Sequence, residues 1–447
     1  MTYNIGLVSL GCAKNLVDSE VMLGLIEKSQ FNIVEELNLA HIIIVNTCGF
    51  IDSAKEESID TILKLARYKE IGDLKVLIAS GCLSERYREE LLKEIPELDG
   101  IIGTGDYKNI INVIEETLNG KKICSYGHIN DIYDETLPRK ISTPNYTAFI
   151  KIGDGCNNNC TYCIIPTLRG RFRSRKIENI ISEIENLVSN GVKELIVIAQ
   201  DITQYGIDIY GEFSLTKLLK EIDKIENLKW LRLLYTYPEN IDEELIAVIK
   251  QSDKILNYLD IPFQHTQDKI LKSMGRKTTN KKIIDLISKL RSEIPDIIIR
   301  SSIITGFPGE SEEDFNDMLK TLSLVKIDRL GVFTYSQEEG TKSALFENQL
   351  SQEIKENRRD IILKMQQEIS LSKNKSMINK KLKILIEGKT DNENVYYGRS
   401  YMDAPEIDGL VYVHTDFHLK DGDFCDVLIT DALEYDLIGD RIDEFTK

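Results

Sequence analysis

The sequence lacks any run of about 18 consecutive apolar residues, the length that a membrane-spanning helix needs. Its first residues, MTYNIGLVSLG, also lack a basic segment before the apolar stretch, so they predict a first β-strand and not a signal peptide. We therefore expect a cytoplasmic protein with no membrane association. Thiols stay reduced in the cytoplasm, so the eight cysteines indicate metal binding or catalysis rather than disulfide bonds.

Positive charge is scarce relative to negative charge. The 447 residues include 56 Lys and Arg against 73 Asp and Glu, which gives a formal net charge of −17. Non-specific binding to nucleic acid depends on neutralising phosphates, so this balance disfavours a nucleic acid as the direct substrate. It favours a basic protein partner, although an acidic total can still contain a local basic patch.

Strands and helices alternate along most of the chain, which predicts an α/β protein. Residues 3–120 predict a parallel sheet covered by helices, and residues 121–141 predict a linker. Residues 142–372 contain six further βα units, which favour a full or partial β/α barrel over a flat doubly wound sheet. Residues 375–441 consist of short segments in which apolar and polar residues alternate, with glycines between them. This pattern predicts a small antiparallel β-barrel similar to an OB-fold.

A cluster of three cysteines lies in the segment GCNNNCTYC. Cys156, Cys160 and Cys163 have the spacing C-x3-C-x2-C, directly after a predicted strand. Three thiolates that converge from one loop suit an iron–sulfur cluster, and three ligands for four irons leave one iron open to a small molecule. A zinc site is the alternative, but no fourth Cys or His lies in the loop.

Four arginines alternate in the segment RGRFRSR that follows this cluster. Arg169, Arg171, Arg173 and Arg175 either form a charged wall that neutralises a cofactor or substrate carboxylate, or lie along a solvated edge. The pattern alone supports both interpretations equally.

Three more cysteines end three predicted strands. Cys12, Cys48 and Cys82 each lie at the carboxyl end of a parallel strand, where open α/β sheets form their sites. A cysteine is often simply a buried residue, but three at the same strand position predict a second three-cysteine cluster. Cys124 and Cys425 have no such context, so we expect ordinary thiols there.

The spacing C-x3-C-x2-C with Tyr162 before the last cysteine is similar to the signature of the radical S-adenosylmethionine (SAM) superfamily. This resemblance implies an open iron that binds the amino and carboxylate groups of SAM, and a 5′-deoxyadenosyl radical formed by reductive cleavage. The two cysteine clusters and the three predicted domains together resemble the methylthiotransferase family over essentially the whole chain. The resemblance implies two [4Fe-4S] clusters, SAM as methyl donor and radical source, a reductant such as flavodoxin or ferredoxin, and a C-terminal TRAM domain that takes part in substrate recognition.

The family has one branch that modifies adenosine in transfer RNA and another that modifies an aspartate of ribosomal protein uS12. The motifs SLGCAKNLVDSE, NTCGFIDSAKEES, CTYCIIPTLRGRFRSR, IPFQHTQDKILKSMGR and GRSYMDAPEIDG resemble the uS12 branch. The RNA branch usually has Gln where this chain has Ala13, Arg-Glu in place of Phe50-Ile51, and Ser-Gly-Ser in place of residues 265–267. Residues 375–447 also hold 9 Lys and Arg against 16 Asp and Glu, a net charge of −7 that should attract a basic ribosomal protein.

The resemblance therefore implies methylthiolation of the β-carbon of an aspartate in uS12, free or in the small ribosomal subunit. The alternatives are a transfer-RNA methylthiotransferase, a non-catalytic iron–sulfur protein and a zinc-binding module. Radical SAM barrels hold SAM at the carboxyl ends of successive strands, and matching strand ends gives the candidates Gln200, Asp201, Gln264, Ile304 and Gly306. Arg300 is a sixth candidate, facing the same cavity from within its strand. His265 is a further candidate, with a structural role as its alternative.

Overall fold

Two parallel sheets and a closed barrel follow one another in the computed structural model, which describes residues 3–131 and 136–442. Within those residues, no helix is both long and apolar enough to cross a membrane. The order of the three units agrees with the α/β fold that the sequence predicts.

The N-terminal unit is a six-stranded parallel sheet flanked by helices. Its strands are β1 (Asn4–Ser9), β2 (Asn32–Ile33), β3 (Ile42–Thr47), β4 (Val76–Gly81), β5 (Gly100–Ile102) and β6 (Ile123–Ser125). Its helices are α1 (Ala13–Glu27), α2 (Asp52–Ala66), α3 (Tyr68–Ile71), α4 (Cys82–Tyr87), α5 (Glu89–Glu94) and α6 (Ile110–Leu118). The strand order is β2-β1-β3-β4-β5-β6. The apolar strand β3 is buried along its length, as expected for a parallel strand covered on both faces.

This first sheet extends past residue 120, where the sequence predicts that the linker begins. Strand β6 lies inside the predicted linker and pairs in parallel with β5. A strand of three residues is too short to show a periodic pattern, which is why the sequence gives no sign of it.

The central unit is a second six-stranded parallel sheet. Its strands are β7 (Thr147–Lys151), β10 (Glu194–Ile198), β11 (Trp230–Leu233), β12 (Ile255–Asp260), β13 (Ile298–Thr305) and β14 (Arg329–Thr334), and they pair in this order. The short strands β8 (Gly153–Asp154) and β9 (Arg173–Ser174) form a separate antiparallel pair. The six-stranded sheet is open, with β7 and β14 at its edges, so of the two barrel forms that the sequence allows the protein has the partial one.

Eight helices accompany the described part of this unit. They are α7 (Ile165–Arg169), α8 (Ile177–Ser189), α9 (Leu215–Asp223), α10 (Glu243–Gln251), α11 (Asp268–Ser273), α12 (Asn280–Glu293), α13 (Glu312–Val325) and α14 (Gln352–Lys375). Along β10, Leu195 and Val197 pack in the core that these helices cover, whereas Ile196 and Ile198 pack in the core shared with the C-terminal unit. This alternation follows from the two-residue period of a strand, so the central sheet is buried on both faces.

The C-terminal unit is a closed five-stranded barrel. Its strands are β15 (Lys381–Lys389), β16 (Val395–Arg399), β17 (Val411–His414), β18 (Phe424–Ala432) and β19 (Leu437–Arg441), in the order β15-β16-β17-β19-β18. The pairs are antiparallel, as predicted, except that β17 and β19 run parallel. A period of two is the same in both kinds of pair, so the sequence pattern cannot distinguish them.

Buried ion pairs join the N-terminal unit to the central one. Asp18 on α1 accepts hydrogen bonds from Lys151 and from Arg169, the latter at 2.9 Å. In a second group of pairs, Glu338 of the central unit contacts Arg86 at 2.7 Å and Lys55 at 2.9 Å, both from the N-terminal unit. Because breaking one partner of a buried pair leaves an uncompensated charge, these contacts hold the two sheets in a defined relation.

Candidate active site

A cavity of about 320 Å³ lies where the two parallel sheets face each other. All six cysteines that the sequence predicts as ligands line it: Cys12, Cys48, Cys82, Cys156, Cys160 and Cys163. The N-terminal unit supplies the first three and the central unit the other three. The two predicted clusters therefore open into one common space.

The N-terminal three cysteines meet because their strands are neighbours. Cys12 caps the start of α1, Cys48 directly follows β3, and Cys82 begins α4 directly after β4. Strand β3 pairs in parallel with both β1 and β4, so the carboxyl ends of all three lie at one edge. Gly11 has φ +86°, and a Cβ there would lie 2.8 Å from the Cβ of Cys48, so a side chain at this position would force the cysteines apart.

The side chain of Arg169 links the N-terminal cysteines to the central unit. Its buried guanidinium donates to the side-chain oxygens of Asn15 and Asp18 on α1, and lies 3.2 Å from Oδ2 of Asp154. Burial raises the pKa of Cys82 to about 12. Burial also acts to raise the pKa of Cys12, but the charges of Lys14 and Arg169 outweigh that effect and lower it.

The other three cysteines lie on the loop between β8 and α7. The backbone N–H of Cys156 donates to the carbonyl of Gly170 at 3.1 Å, which closes the base of the loop. Sγ of Cys160 lies 2.9 Å from the hydroxyl of Tyr237, beyond the carboxyl end of β11. Burial raises the pKa of Cys156 to about 11 and raises that of Cys163 as well.

The spacing of the cysteines bears on the kind of metal site. Within residues 3–131 and 136–442, no three or more His, Cys, Asp or Glu side chains are arranged around one common ion position. A zinc site needs its thiolates about 2.3 Å from a single ion, whereas an iron–sulfur cluster distributes its thiolates over several irons. The loop of Cys156, Cys160 and Cys163 supplies three thiols and no fourth Cys or His, a donor set that suits the cluster.

Three of the six predicted SAM contacts line the cavity: Gln200, Gln264 and Arg300. Nε2 of Gln200 donates to Asp154 at 2.8 Å, while its buried Oε1 has no hydrogen-bond partner in the described part of the chain. Gln264 has φ +71°, and Arg300 donates to Asp260 at 2.9 Å. A buried polar atom without a partner is costly, and this Oε1 has the capacity for a further hydrogen bond.

The other three predicted contacts do not line the cavity. Asp201 is fully buried and accepts from Asn158 at 2.9 Å and from Thr203. Ile304 packs in a small apolar cluster, and Gly306 donates its N–H to Glu310 at 2.9 Å. Asp201 thus supports the cysteine loop, and the SAM contacts of Asp201, Ile304 and Gly306 stay predictions.

His265 has the structural role that the sequence leaves open. It is completely buried, its Nδ1 accepts from the backbone N–H of Gln267, and its Nε2 lies 3.5 Å from Glu310. Like Ile304 and Gly306, it is absent from the cavity wall.

Of the four alternating arginines, only Arg169 lines this cavity. Arg175 is buried against Glu183 at 2.7 Å, and Arg173 donates to the backbone carbonyls of Arg169 and Arg171. The exposed Arg171 lies on the surface. Arg169 thus lines the cavity with its charge paired to Asp18 and Asp154, and the charged-wall interpretation stays a prediction for it.

Several residues of the cavity wall are not predicted from the sequence. They are Asn158, Tyr235, Tyr237, Asp260, Arg276 and Ser302, together with Lys14 and Asn15 on α1. The guanidinium of Arg276 lies 3.9 Å from the ring centroid of Tyr237, and its Nε has no hydrogen-bond partner among the described residues. Tyr235 and Tyr237 follow strand β11, so the strand-end rule that finds the cysteines also points to them.

Three family models match successive parts of the chain. A radical SAM superfamily model matches residues 150–322, the "Uncharacterized protein family UPF0004" model matches residues 4–103, and a TRAM domain model matches residues 378–442. Among solved structures, the radical SAM methyltransferase TsrM from Kitasatospora setae is similar with a TM-score of 0.55 at 14% identity, over 75% of each chain. The fold and these matches together define a radical SAM enzyme with an N-terminal α/β domain and a C-terminal TRAM barrel.

Relatives that match over their full length show which family of radical SAM enzymes the chain belongs to. The chain is 54% identical to ribosomal protein uS12 methylthiotransferase RimO of Thermoanaerobacter sp. (strain X514), over 98% of this chain and 99% of the relative. It is 51% identical to the protein of the same name from Clostridioides difficile (strain 630), again over 98% and 99%. The chain belongs to the RimO family of radical SAM methylthiotransferases.

Proposed function

We propose that this methylthiotransferase attaches a methylthio group to the β-carbon of an aspartate in ribosomal protein uS12. The observation that carries the proposal is the single cavity lined by both groups of three cysteines. The relatives described above are named uS12 methylthiotransferases, and we assign uS12 as the substrate on the basis of those names. The acidic composition of residues 375–447 is suited to a basic ribosomal protein, free or in the small subunit.

We assign one [4Fe-4S] cluster to Cys12, Cys48 and Cys82 and a second to Cys156, Cys160 and Cys163. Three thiol donors on each side of the cavity fit this assignment. Two unpartnered buried atoms on cavity-lining side chains, Oε1 of Gln200 and Nε of Arg276, fit a polar ligand such as SAM. When bound, the clusters and SAM would supply the radical that breaks an unactivated C–H bond and the methyl group, and the N-terminal cluster would hold the sulfur that is transferred.

The protein's own side chains position and enclose these groups. Gln200 and Gln264, which follow β10 and β12, and Arg300, which lies within β13, would orient SAM. Tyr237 holds Cys160, and Arg169 compensates negative charge between the two groups of cysteines.

Domain limits, location and partners complete the proposal. We place the N-terminal domain at residues 3–120 with its last strand extending to Ser125, the radical SAM core at residues 142–372 and the TRAM domain at residues 375–441. We place the enzyme in the cytoplasm with a flavodoxin or ferredoxin as reductant and no nucleic acid as direct substrate.

The test is an anaerobic reaction with reconstituted enzyme, SAM, a reductant, sulfide and uS12, followed by mass spectrometry of uS12 peptides. We expect one aspartate to gain a methylthio group and 5′-deoxyadenosine to accumulate. Production of 5′-deoxyadenosine with unmodified uS12 would contradict the substrate and direct the search to transfer RNA, whose binding should weaken steeply with salt. No 5′-deoxyadenosine would contradict the enzyme and favour an iron–sulfur protein without catalysis.

A further inference from the structure

Lys14 is a buried cation in the cavity wall that the proposed function leaves without a task. Its side chain belongs to the motif SLGCAKN at the start of α1 and is 7% exposed. Nζ lies 3.1 Å from the ring centroid of Tyr235, which follows β11 of the central unit. Lys14 thus reaches from the N-terminal domain across to the SAM side of the same cavity.

The other cations of the cavity wall have polar partners. Arg169 pairs with Asp18 and Asp154, and Arg300 pairs with Asp260 at 2.9 Å. Arg276 donates to the carbonyl of Pro262 and stacks on Tyr237, on the side of Cys160.

Lys14 differs from all three. Within residues 3–131 and 136–442 its ammonium makes no hydrogen bond and no salt bridge, and its cation–π contact with Tyr235 satisfies none of its three N–H donors. Its charge acts on the neighbouring thiol of Cys12, but no carboxylate of the described residues pairs with it, so the position favours a carboxylate that arrives with a ligand.

We propose that the ammonium of Lys14 binds the side-chain carboxylate of the substrate aspartate. This inference rests on the proposed function and adds the residue that selects an acidic substrate. The carboxylate carbon is one bond from the β-carbon that reacts. Anchoring the carboxylate on Lys14 therefore holds the β-carbon between the cysteines of the N-terminal domain and those of the central domain, where both the sulfur and the radical must reach it.

The contact with Tyr235 defines where the ammonium lies. The backbone N–H of Tyr235 donates to Oδ2 of Asp260, and Oδ1 of Asp260 accepts from Arg300. The lysine is thus fixed relative to a predicted SAM contact through two hydrogen bonds. A ring face leaves the N–H donors of the ammonium free to point at a carboxylate.

The experiment compares two substrates on three enzymes. The substrates are uS12 and uS12 with its modified aspartate, located by mass spectrometry, replaced by asparagine. The enzymes are the reconstituted wild type, Lys14→Gln and Lys14→Arg, and the dissociation constant is measured anaerobically for each pair. Iron content and circular dichroism are recorded for every variant, so that a misfolded protein is recognised.

We expect the wild type to bind the aspartate form about tenfold or more tightly than the asparagine form, because a hydrogen bond between charged groups is lost. Lys14→Gln should reduce this ratio to about one, and Lys14→Arg should retain most of it. Equal binding of the two substrates by the wild type would overturn the inference, whatever the variants do. Retention of the full preference by folded Lys14→Gln would overturn it too.

The failure of the proposed function has a different signature. If wild-type enzyme neither binds nor modifies uS12, the substrate assignment itself is wrong and the inference falls with it. If the wild type modifies uS12 but shows no preference for the aspartate form, only the role of Lys14 is wrong.

Discussion

The carboxylate of Asp408, which lies between β16 and β17 of the C-terminal barrel, is 3.7 Å from Nε of Arg300 in the cavity wall. Asp408 also accepts from the hydroxyl of Tyr258 at 2.6 Å and from the N–H of Ala404 at 2.9 Å. A residue of the barrel therefore helps to hold a side chain that we assign to SAM binding. The ion pair of Asp408 and Arg300 thus connects the barrel to the proposed SAM site.

We expect Asp408→Ala to raise the KM for SAM several-fold, because Arg300 loses a carboxylate beside it. The free energy of unfolding should fall by about 1–3 kcal/mol, because the Tyr258 hydroxyl and the Ala404 N–H lose a buried acceptor. Steady-state formation of 5′-deoxyadenosine and urea denaturation measure the two effects. The matched control is Asp416→Ala on the same barrel, whose carboxylate bonds to the exposed Asn394. Equal kinetic effects of both variants would show that Asp408 does not position Arg300.

Cys160 and Cys124 make a matched pair for testing the ligand assignment. Cys160 lines the cavity, whereas Cys124 lies on β6 away from it. Cys160→Ala should lower the iron content from about eight to about four per chain and abolish SAM cleavage, since one [4Fe-4S] site loses a ligand. Cys124→Ala should keep both. SAM cleavage by Cys160→Ala would contradict the assignment of the radical-forming site.

Glu194 is predicted to make stability depend on pH. It is fully buried, and Arg399 and Arg232 hold its carboxylate at 2.6 and 3.1 Å between the central sheet and the barrel. Burial alone would raise its pKa, but the two guanidinium charges lower it below the ordinary value of 4.5. A lowered pKa in the folded state means that the pair stabilises the protein above pH 4.5 and loses that contribution as the pH falls further.

Glu194→Gln should therefore lower the free energy of unfolding by about 3 kcal/mol at pH 7, because it leaves two buried guanidinium groups uncompensated. The difference between variant and wild type should shrink as the pH falls below 4.5. Urea midpoints measured from pH 7 down to pH 3.5 check this. A difference that stays constant over that range would mean that the charge of Glu194 is not what stabilises the interface.

Tyr237→Phe tests the contact between the hydroxyl and Cys160. A hydrogen bond to a ligand sulfur favours the more negative, reduced cluster, so its loss should shift the reduction potential to a more negative value. Redox titration monitored by electron paramagnetic resonance measures the shift. Tyr235→Phe, at a neighbouring ring in the same cavity, is the control and should leave the potential unchanged.

The sequence predicts that the N-terminal cysteines come together, because a simple geometric rule connects the strands that they follow. Parallel neighbouring strands end at one edge, so Cys12, Cys48 and Cys82 meet although more than 30 positions separate each from the next. The rule is less exact for single residues. Successive side chains on an extended backbone point to opposite sides, which is why Gln200 lines the cavity and Asp201 does not.

Contacts between distant segments are invisible in the sequence. Tyr237 meets Cys160 from 77 positions away, and no local pattern marks that pair. The same holds for Lys14, whose place over the ring of Tyr235 depends on how the N-terminal and central domains pack. The sequence also fails to predict two features of the sheets. Strand β6 is too short to show a period, and the two-residue period of β17 and β19 does not distinguish parallel from antiparallel pairing.

Arg169 has a consequence for the order in which the protein matures. Its bond to Asp18 joins positions 151 residues apart, and the cavity wall draws on residues from Cys12 to Ser302. Closing loops of this length costs chain entropy before the contacts repay it, so such contacts form late in folding. The cavity wall is thus completed only after two-thirds of the polypeptide has been synthesised, and until then the two groups of three cysteines lie in separate parts of the nascent chain.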